Sequence, residues 1–199
     1  MRFTASLETF DDASCLGWVH ELPGCAVRVR HRTEIERALA AEIRRFLAEA
    51  DEPAPDCIEL AIAVETETAG TGPEATVALI APDQAPLDPI ALARIAHRLT
   101  LSRDRLLARL DSTDDPGLSD EARHVGLIEL LLAAQTFDTG TADGLRDFLA
   151  WTRGVTMARL ATAAAEDTGR ISGGGTAEAW TAAKVARRLV WHERLHGAD

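Results

Sequence analysis

Three prolines in nine residues, in the segment Ala81–Pro89 (APDQAPLDP), separate two parts of the chain that differ in hydrophobic periodicity. Proline has no backbone N–H and fixes φ, so strands and helices rarely continue through such a segment. Before it, apolar and polar residues alternate over short stretches, which is typical of β-strands. After it, apolar residues recur every three or four positions, which is typical of α-helices. The sequence therefore predicts two domains, residues 1–80 and 90–199, joined by a proline-rich linker over 81–89.

The N-terminal part predicts an α+β domain in which one helix packs on a small antiparallel sheet. Thr33 is a favourable N-cap residue, and Glu36, three residues later, completes a capping box. The helix that begins there is predicted to continue to about Ala50. Its apolar face consists of Ile35, Leu39, Ile43 and Phe46. Strands are predicted over Arg2–Thr9, Ser14–His20, Cys25–Arg30, Cys57–Thr66 and Ala75–Ala81.

The C-terminal part predicts an all-α four-helix bundle, since helices with short connections bury their apolar faces against each other. The helices are predicted over Pro89–Leu110, Ser119–Phe137, Ala142–Glu166 and Thr176–His196. The apolar stripe of the first is Leu92, Ile95, Leu99, Leu106 and Leu110. His97 falls on the polar side of that helix and is expected to be exposed and inert. His20 and His31 are expected at the surface.

The last predicted helix contains the sequence His192-Glu193-Arg194-Leu195-His196. Two histidines four residues apart lie on the same face of a helix and can bind one metal ion. A zinc protease of this type takes its third ligand from downstream, but only three residues follow His196. The third ligand must therefore come from upstream. The best candidate is His124, which shares an apolar face with Leu127, Ile128 and Leu131.

The metal site has a simpler alternative, in which the three histidines are hydrogen-bonded structural residues. Three buried imidazoles without partners would cost several kcal/mol, and a divalent ion would relieve that cost. Glu193 is a candidate general base toward a metal-bound water; the alternative is a solvated carboxylate near the helix end. Arg187 and Arg188, one turn before His192, would suit an anionic substrate or would simply occupy the helix surface. Trp151, Trp180 and Trp191 are expected to serve in packing.

Charge and cysteine content restrict the partners and the compartment. Residues 1–86 carry 7 arginines and lysines against 16 acidic residues, and the whole chain has a net charge of −11. An acidic surface repels phosphate backbones, so no nucleic-acid partner is expected. We expect no membrane partner either, because no apolar run approaches the length of a transmembrane helix. The odd number of cysteines (Cys15, Cys25 and Cys57) and the lack of a signal sequence indicate reduced, buried thiols in a cytoplasmic protein.

Two segments of the C-terminal part resemble a known family. The run from His124 to Ala133 (HVGLIELLLA) and the run from Lys184 to His196 (KVARRLVWHERLH) resemble the DinB-like (YfiT-like) helical bundle proteins. The resemblance covers about residues 87–199. It implies a four-helix bundle in which His124, His192 and His196 bind nickel, zinc or a related divalent ion; manganese is a further candidate for the metal. Several members of that family are transferases or isomerases that use mycothiol, bacillithiol or glutathione.

The N-terminal part is similar to another family. The segment from Gly17 to Cys25 (GWVHELPGC), followed by the amphipathic helix to Phe46, resembles the HicB antitoxin-like fold. That family pairs with a small RNA-cleaving toxin and often has a C-terminal DNA-binding module, whose place the helical segment takes here. The resemblance implies a binding or dimerising module, or a lid over the bundle.

Two functional hypotheses remain open. In the first, the protein is a metal-dependent enzyme: a thiol-dependent transferase or isomerase, or a hydrolase, acting on a small molecule. In the second, it is a non-catalytic partner-binding or antitoxin-like protein that uses its HicB-like domain. A homodimer is the commonest assembly for such folds.

Overall fold

A computed structural model of the chain describes residues 1–68, 78–87, 89–112, 116–130, 142–166 and 180–197. Within these ranges it describes the backbone, but not the side chains, of residues 116, 121, 124, 127–130, 142, 143, 163, 165, 166, 196 and 197. The chain divides into two compact units, Met1–Gln84 and Ala85–Asp199. The division falls inside the proline-rich segment 81–89, where residues Ala81–Gln84 form a 3-10 helix.

The N-terminal unit contains a four-stranded sheet and one α-helix in its described residues. The elements are β1 (Arg2–Phe10), β2 (Cys15–Val19), β3 (Ala26–Val29), α1 (Ile35–Ala48) and β4 (Glu59–Thr68). The strand order is β3-β2-β1-β4. The β1–β2 and β2–β3 pairs are antiparallel, whereas β4 runs parallel to β1.

The prediction of an antiparallel sheet was therefore wrong for β4. After three strands joined by short turns, α1 carries the chain back to the end of the sheet at which β1 begins. A strand that enters after such a crossover runs parallel to its neighbour. The strand predicted over Ala75–Ala81 was also wrong in its described part, because residues 78–80 lie in no strand and Ala81 begins a 3-10 helix.

The start of α1 differs from the predicted capping box. Thr33 lies inside a 3-10 turn, Arg32–Glu34, and α1 begins two residues after it, at Ile35. Its N-cap residue is Glu34, which makes no side-chain cap hydrogen bond. The extra turn displaces Thr33 from the position at which a hydroxyl could accept a bond from the first N–H groups of the helix.

The apolar face of α1 packs on the sheet as predicted. Ile35, Leu39, Ile43 and Phe46 are all buried, together with Leu47. Gly17 on β2 allows the close approach, because a Cβ atom at this position would lie 2.8 Å from Leu39 Cδ1. A larger residue at position 17 would therefore push the helix away from the sheet.

The C-terminal unit contains four α-helices in its described residues. They are α2 (Pro89–Ser112), α3 (Pro116–Leu130), α4 (Ala142–Glu166) and α5 (Ala182–Gly197). The bounds of α4 agree with the prediction, and α3 begins three residues early, with Pro116 at its first position. Residues 131–137 of the second predicted helix and 176–179 of the fourth lie outside the described residues.

Helix packing in this unit joins α2 to α5 and α3 to α4, and α3 also contacts α5. One apolar core lies among α2, α3 and α4. Its buried members are Leu106, Leu118, Ala122, Val125, Leu145, Phe148 and Leu149. The α3 residues of this core lie on a different face from the predicted stripe of His124, Leu127 and Ile128, whose side chains lie outside the described residues.

In the described part of the chain, no helix is both long and apolar enough to cross a bilayer.

Candidate functional site: the buried helix α5

Helix α5 is buried around almost its whole circumference. Its buried apolar residues are Ala182, Val185, Ala186, Leu189, Val190 and Trp191. Its buried charged or titratable residues are Lys184, Arg187, His192, Glu193 and Arg194. Charged side chains are rarely so buried unless they are paired, and clusters of them are common at functional sites. Helix α5 is therefore the part of the described chain with the strongest indication of chemistry.

The first turn of α5 is fixed by its flanking residues. Thr181 accepts a hydrogen bond from the backbone N–H of Lys184 through its hydroxyl, at 3.1 Å, which is an N-cap interaction. Just before it, the ring of Trp180 contacts two cations: the Lys184 ammonium lies 4.7 Å and the Arg188 guanidinium 5.2 Å from the ring centroid. These contacts anchor the start of the helix through cation–π attraction.

The main polar feature of α5 is the carboxylate of Glu193, which is 1% exposed. Arg103 of α2 donates to Oε1 through Nε. Arg153 of α4 donates to Oε2 through Nη2, at 2.5 Å, and the hydroxyl of Ser102 donates to the same oxygen at 3.0 Å. Both oxygens of one carboxylate thus accept hydrogen bonds from α2 and α4, so that Glu193 links three helices.

Each of the two arginines also donates a hydrogen bond to the backbone of the helix that carries the other arginine. Arg103 of α2 donates through Nη1 to the backbone carbonyl of Leu149 in α4. Arg153 of α4 donates through Nη1 to the backbone carbonyl of Leu99 in α2, at 2.5 Å. Each carbonyl belongs to the residue four positions before the other arginine. The arrangement is therefore nearly symmetric about Glu193. We call Ser102, Arg103, Arg153 and Glu193 the carboxylate lock.

A sequence signal for the lock exists in hindsight. Helices α2 and α4 share the pattern Leu-x-x-Ser/Thr-Arg, as Leu99–Arg103 (LTLSR) and Leu149–Arg153 (LAWTR). In each copy the hydroxyl lies close to the leucine carbonyl, at 3.2 Å for Ser102 and 3.1 Å for Thr152. The sequence reasoning missed it because an arginine in an amphipathic helix is normally assigned to the exposed face.

The three predicted metal ligands are described to different extents. His192 is 5% exposed on α5. His124 lies on α3 and His196 on α5, but their side chains lie outside the described residues. Among the side chains that the structure describes, no group of three or more histidine, cysteine, aspartate or glutamate residues could hold a metal ion. The helices that carry the three histidines, α3 and α5, are in contact.

Other candidate residues differ from their expected environments. Glu193 is buried and ion-paired, so the alternative of a solvated helix-end carboxylate was wrong. Arg187 is also buried, which contradicts the alternative of a surface position. His97 and His31 are exposed, as expected. His20 is half-buried, and its Nε2 is hydrogen-bonded to Ser6 Oγ at 2.8 Å.

The N-terminal unit also contains buried carboxylates that the sequence did not reveal, and Glu8 is the least exposed of its described glutamates. Glu8 on β1 is 1% exposed. Its Oε1 accepts from Trp18 Nε1 at 2.6 Å. Its Oε2 accepts from the Thr68 hydroxyl at 3.2 Å and from the backbone N–H of Ala78 at 2.8 Å. Glu8 therefore connects β1, β2, β4 and the segment that follows the undescribed residues 69–77.

The cysteines, all of which lie in the described residues, form no disulfide. Cys15 and Cys25 are buried as expected, but the expectation of burial was wrong for Cys57, which is exposed. Burial raises the pKa of the Cys15 thiol, while the Arg32 guanidinium acts in the opposite direction. A buried thiol of this kind is less reactive as a nucleophile than an exposed one.

Comparison with known proteins does not assign the chain to a family. No family model matches the chain, and no curated protein or solved structure matches it either.

Proposed function

We propose that the C-terminal unit is a four-helix bundle that binds a divalent metal ion through His124, His192 and His196. The observation that carries the proposal is the burial of His192 on a helix that is enclosed on nearly all sides and packs against the helix of His124. Imidazole nitrogens are ligands that zinc, nickel and related ions accept readily. Two of the three histidines are one turn apart on α5, as a shared ion requires.

The chemistry that such an ion would supply is the activation of a nucleophile, because a bound divalent ion lowers the pKa of a water or thiol. Trp191, which is buried next to His192, would exclude solvent from its side of α5. The proposed activity is a thiol-dependent transfer or isomerisation, or a hydrolysis, of a small molecule. The resemblance of residues 87–199 to the DinB-like bundles supports this choice of reaction class.

Metal binding is tested on protein purified without a nickel column. The metal-free protein is titrated with Ni²⁺, Zn²⁺ and Mn²⁺ by isothermal calorimetry, beside the variants His192→Ala and His97→Ala. His97 is exposed on α2, so its variant is the matched control. We expect binding of one ion per chain, loss of that binding in His192→Ala, and no change in His97→Ala. The absence of binding with all three metals would overturn the proposal.

A further inference from the structure

We propose that Glu193 is a positioning residue: the carboxylate lock sets the rotation of α5 about its own axis and thereby holds the imidazole of His192 in place. The part of this inference that concerns metal affinity rests on the proposed function. The part that concerns the orientation of α5 stands on the hydrogen bonds of the described residues alone.

The geometry of the lock restricts rotation more than apolar packing does. Packing against apolar neighbours is non-directional. Glu193, in contrast, accepts directional bonds on both oxygens, from Arg103 on one and from Arg153 and Ser102 on the other. The donors belong to two different helices, so a turn of α5 about its axis would break bonds to at least one of them. Only a narrow range of rotations therefore satisfies the carboxylate.

The rotation of α5 also determines where His192 lies. Successive residues of a helix are separated by about 100° around its axis, so the direction of Glu193 determines that of its neighbour. Both side chains are buried, Glu193 at 1% and His192 at 5% exposure. A change in rotation would therefore move the imidazole against a close-packed environment or expose it.

This role differs from that of a general base. Both carboxylate oxygens of Glu193 accept bonds from cationic or hydroxyl donors within the protein. A general base needs an oxygen within reach of the proton that it removes. Buried ion pairs contribute little net stability compared with apolar side chains of similar volume, but in some proteins they select one arrangement of packed helices. Here the selected arrangement is the one that holds the imidazole of His192 in place.

The test measures the accessibility of His192 in metal-free protein. Diethyl pyrocarbonate modifies accessible imidazoles, and peptide mass spectrometry gives the rate at each histidine. We expect His192 to react roughly 10-fold or more faster in Glu193→Gln than in the unmodified chain, and Ni²⁺ affinity to fall about 10- to 100-fold, as for other residues that orient metal ligands. Asp104→Asn, an exposed acid beside Arg103, should change neither quantity.

Two further variants separate positioning from general loosening. Leu106→Ala destabilises the same unit but removes none of the hydrogen bonds of the lock, so at a matched loss of thermal stability it should leave the reaction of His192 slow. Ser102→Ala removes one hydrogen bond to Glu193. It should raise the rate of modification of His192, as Glu193→Gln does, but by a smaller factor. If Glu193→Gln does not fold, Ser102→Ala takes its place as the test of the positioning role.

The outcomes distinguish the two proposals. If folded Glu193→Gln and Ser102→Ala leave the His192 rate unchanged, or if Leu106→Ala raises it equally, the positioning role is overturned. If His192 becomes accessible in Glu193→Gln but the unmodified chain binds none of the metals, positioning stands and the metal proposal fails. If the chain binds metal with the same affinity in all variants, the lock does not act on the site.

Discussion

In each unit one described glutamate is only 1% exposed, Glu8 in the sheet and Glu193 in the helical unit, and the two carboxylates are satisfied by different groups. Glu8 in the sheet accepts from neutral donors: an indole N–H, a hydroxyl and a backbone N–H. Glu193 in the helical unit accepts from two guanidinium groups and a hydroxyl. Both are equally buried. The difference is in the charge of the partners.

The physical reason lies in the backbone. In the middle of a helix every N–H is already bonded to the carbonyl four residues earlier, so a neighbouring helix offers no backbone donor. A buried carboxylate among helices must therefore be satisfied by side chains, and arginine has the reach and the number of donors. Beside the sheet, the non-helical residue Ala78 has an N–H to donate. Secondary structure thus decides which kind of partner a buried charge requires.

The largest expected effect is that of removing Glu193. Glu193→Ala leaves Arg103 buried without its carboxylate, and loss of one partner of a buried ion pair typically costs about 3–5 kcal/mol. Urea denaturation followed by far-UV circular dichroism measures the free energy of unfolding. The exposed Asp104→Ala is the control and should lie within roughly 0.5 kcal/mol of the unmodified chain. Equal stability of the two variants would mean that the helical unit does not depend on its buried charge.

The corresponding change in the sheet should cost less. Glu8→Gln keeps the size of the side chain and one acceptor oxygen, but it removes the charge that strengthens three hydrogen bonds. We expect a loss of about 1.5–3 kcal/mol, the usual value of a hydrogen bond to a charged group. The exposed Glu67→Gln on β4 is the matched control. Trp18 is the one tryptophan of this unit, so its fluorescence reports on the unit in a chain whose other three tryptophans are replaced by phenylalanine. A larger loss than in Glu193→Ala would contradict the comparison.

Two glycines, one in each unit, provide a smaller test, because an added Cβ atom would be crowded at one of them and unobstructed at the other. In the sheet, Gly17→Ala introduces a Cβ atom 2.8 Å from Leu39 Cδ1, and overpacking of this kind costs about 1–3 kcal/mol. In α4, a Cβ atom at Gly154 would meet no atom within 4 Å, so Gly154→Ala should stabilise the helix by about 0.5–1 kcal/mol. Thermal melting of the two variants should shift in opposite directions; a shared direction would refute the packing argument.

The smallest expected effect concerns an exposed carboxylate. Hydrogen bonds from the Ser14 hydroxyl and N–H hold the pKa of Asp12 below its ordinary value of 3.8, and Arg28 adds attraction. A carboxyl whose pKa is lower in the folded state contributes stability above its unfolded pKa and loses it as the pH falls through the folded pKa. Stability should thus fall less between about pH 5 and pH 2 in Asp12→Asn than in the unmodified chain. If the stability of the two chains depends on pH in the same way, Asp12 does not contribute to the loss of stability in acid.

Local patterns of the sequence were sufficient to predict some of the elements. Helix α4 has the predicted bounds, and the buried face of α1 includes all four predicted residues. The direction of β4 was not predictable in the same way, because alternation of polar and apolar residues is identical in parallel and antiparallel strands. Thr33 shows the same limit: a capping box describes a favourable start of a helix, but a preceding 3-10 turn moved the start to Ile35.

For the candidate site, the sequence by itself determined that His192 and His196 share one face of a terminal helix, because helical spacing is a local property. Only the tertiary structure decided that Glu193 is buried between Arg103 and Arg153. These three residues lie on three helices and are up to 90 positions apart in sequence. The Leu-x-x-Ser/Thr-Arg pattern of α2 and α4 is not sufficient to predict this contact, because the free energy of a buried charge depends on which partners the packed helices bring to it.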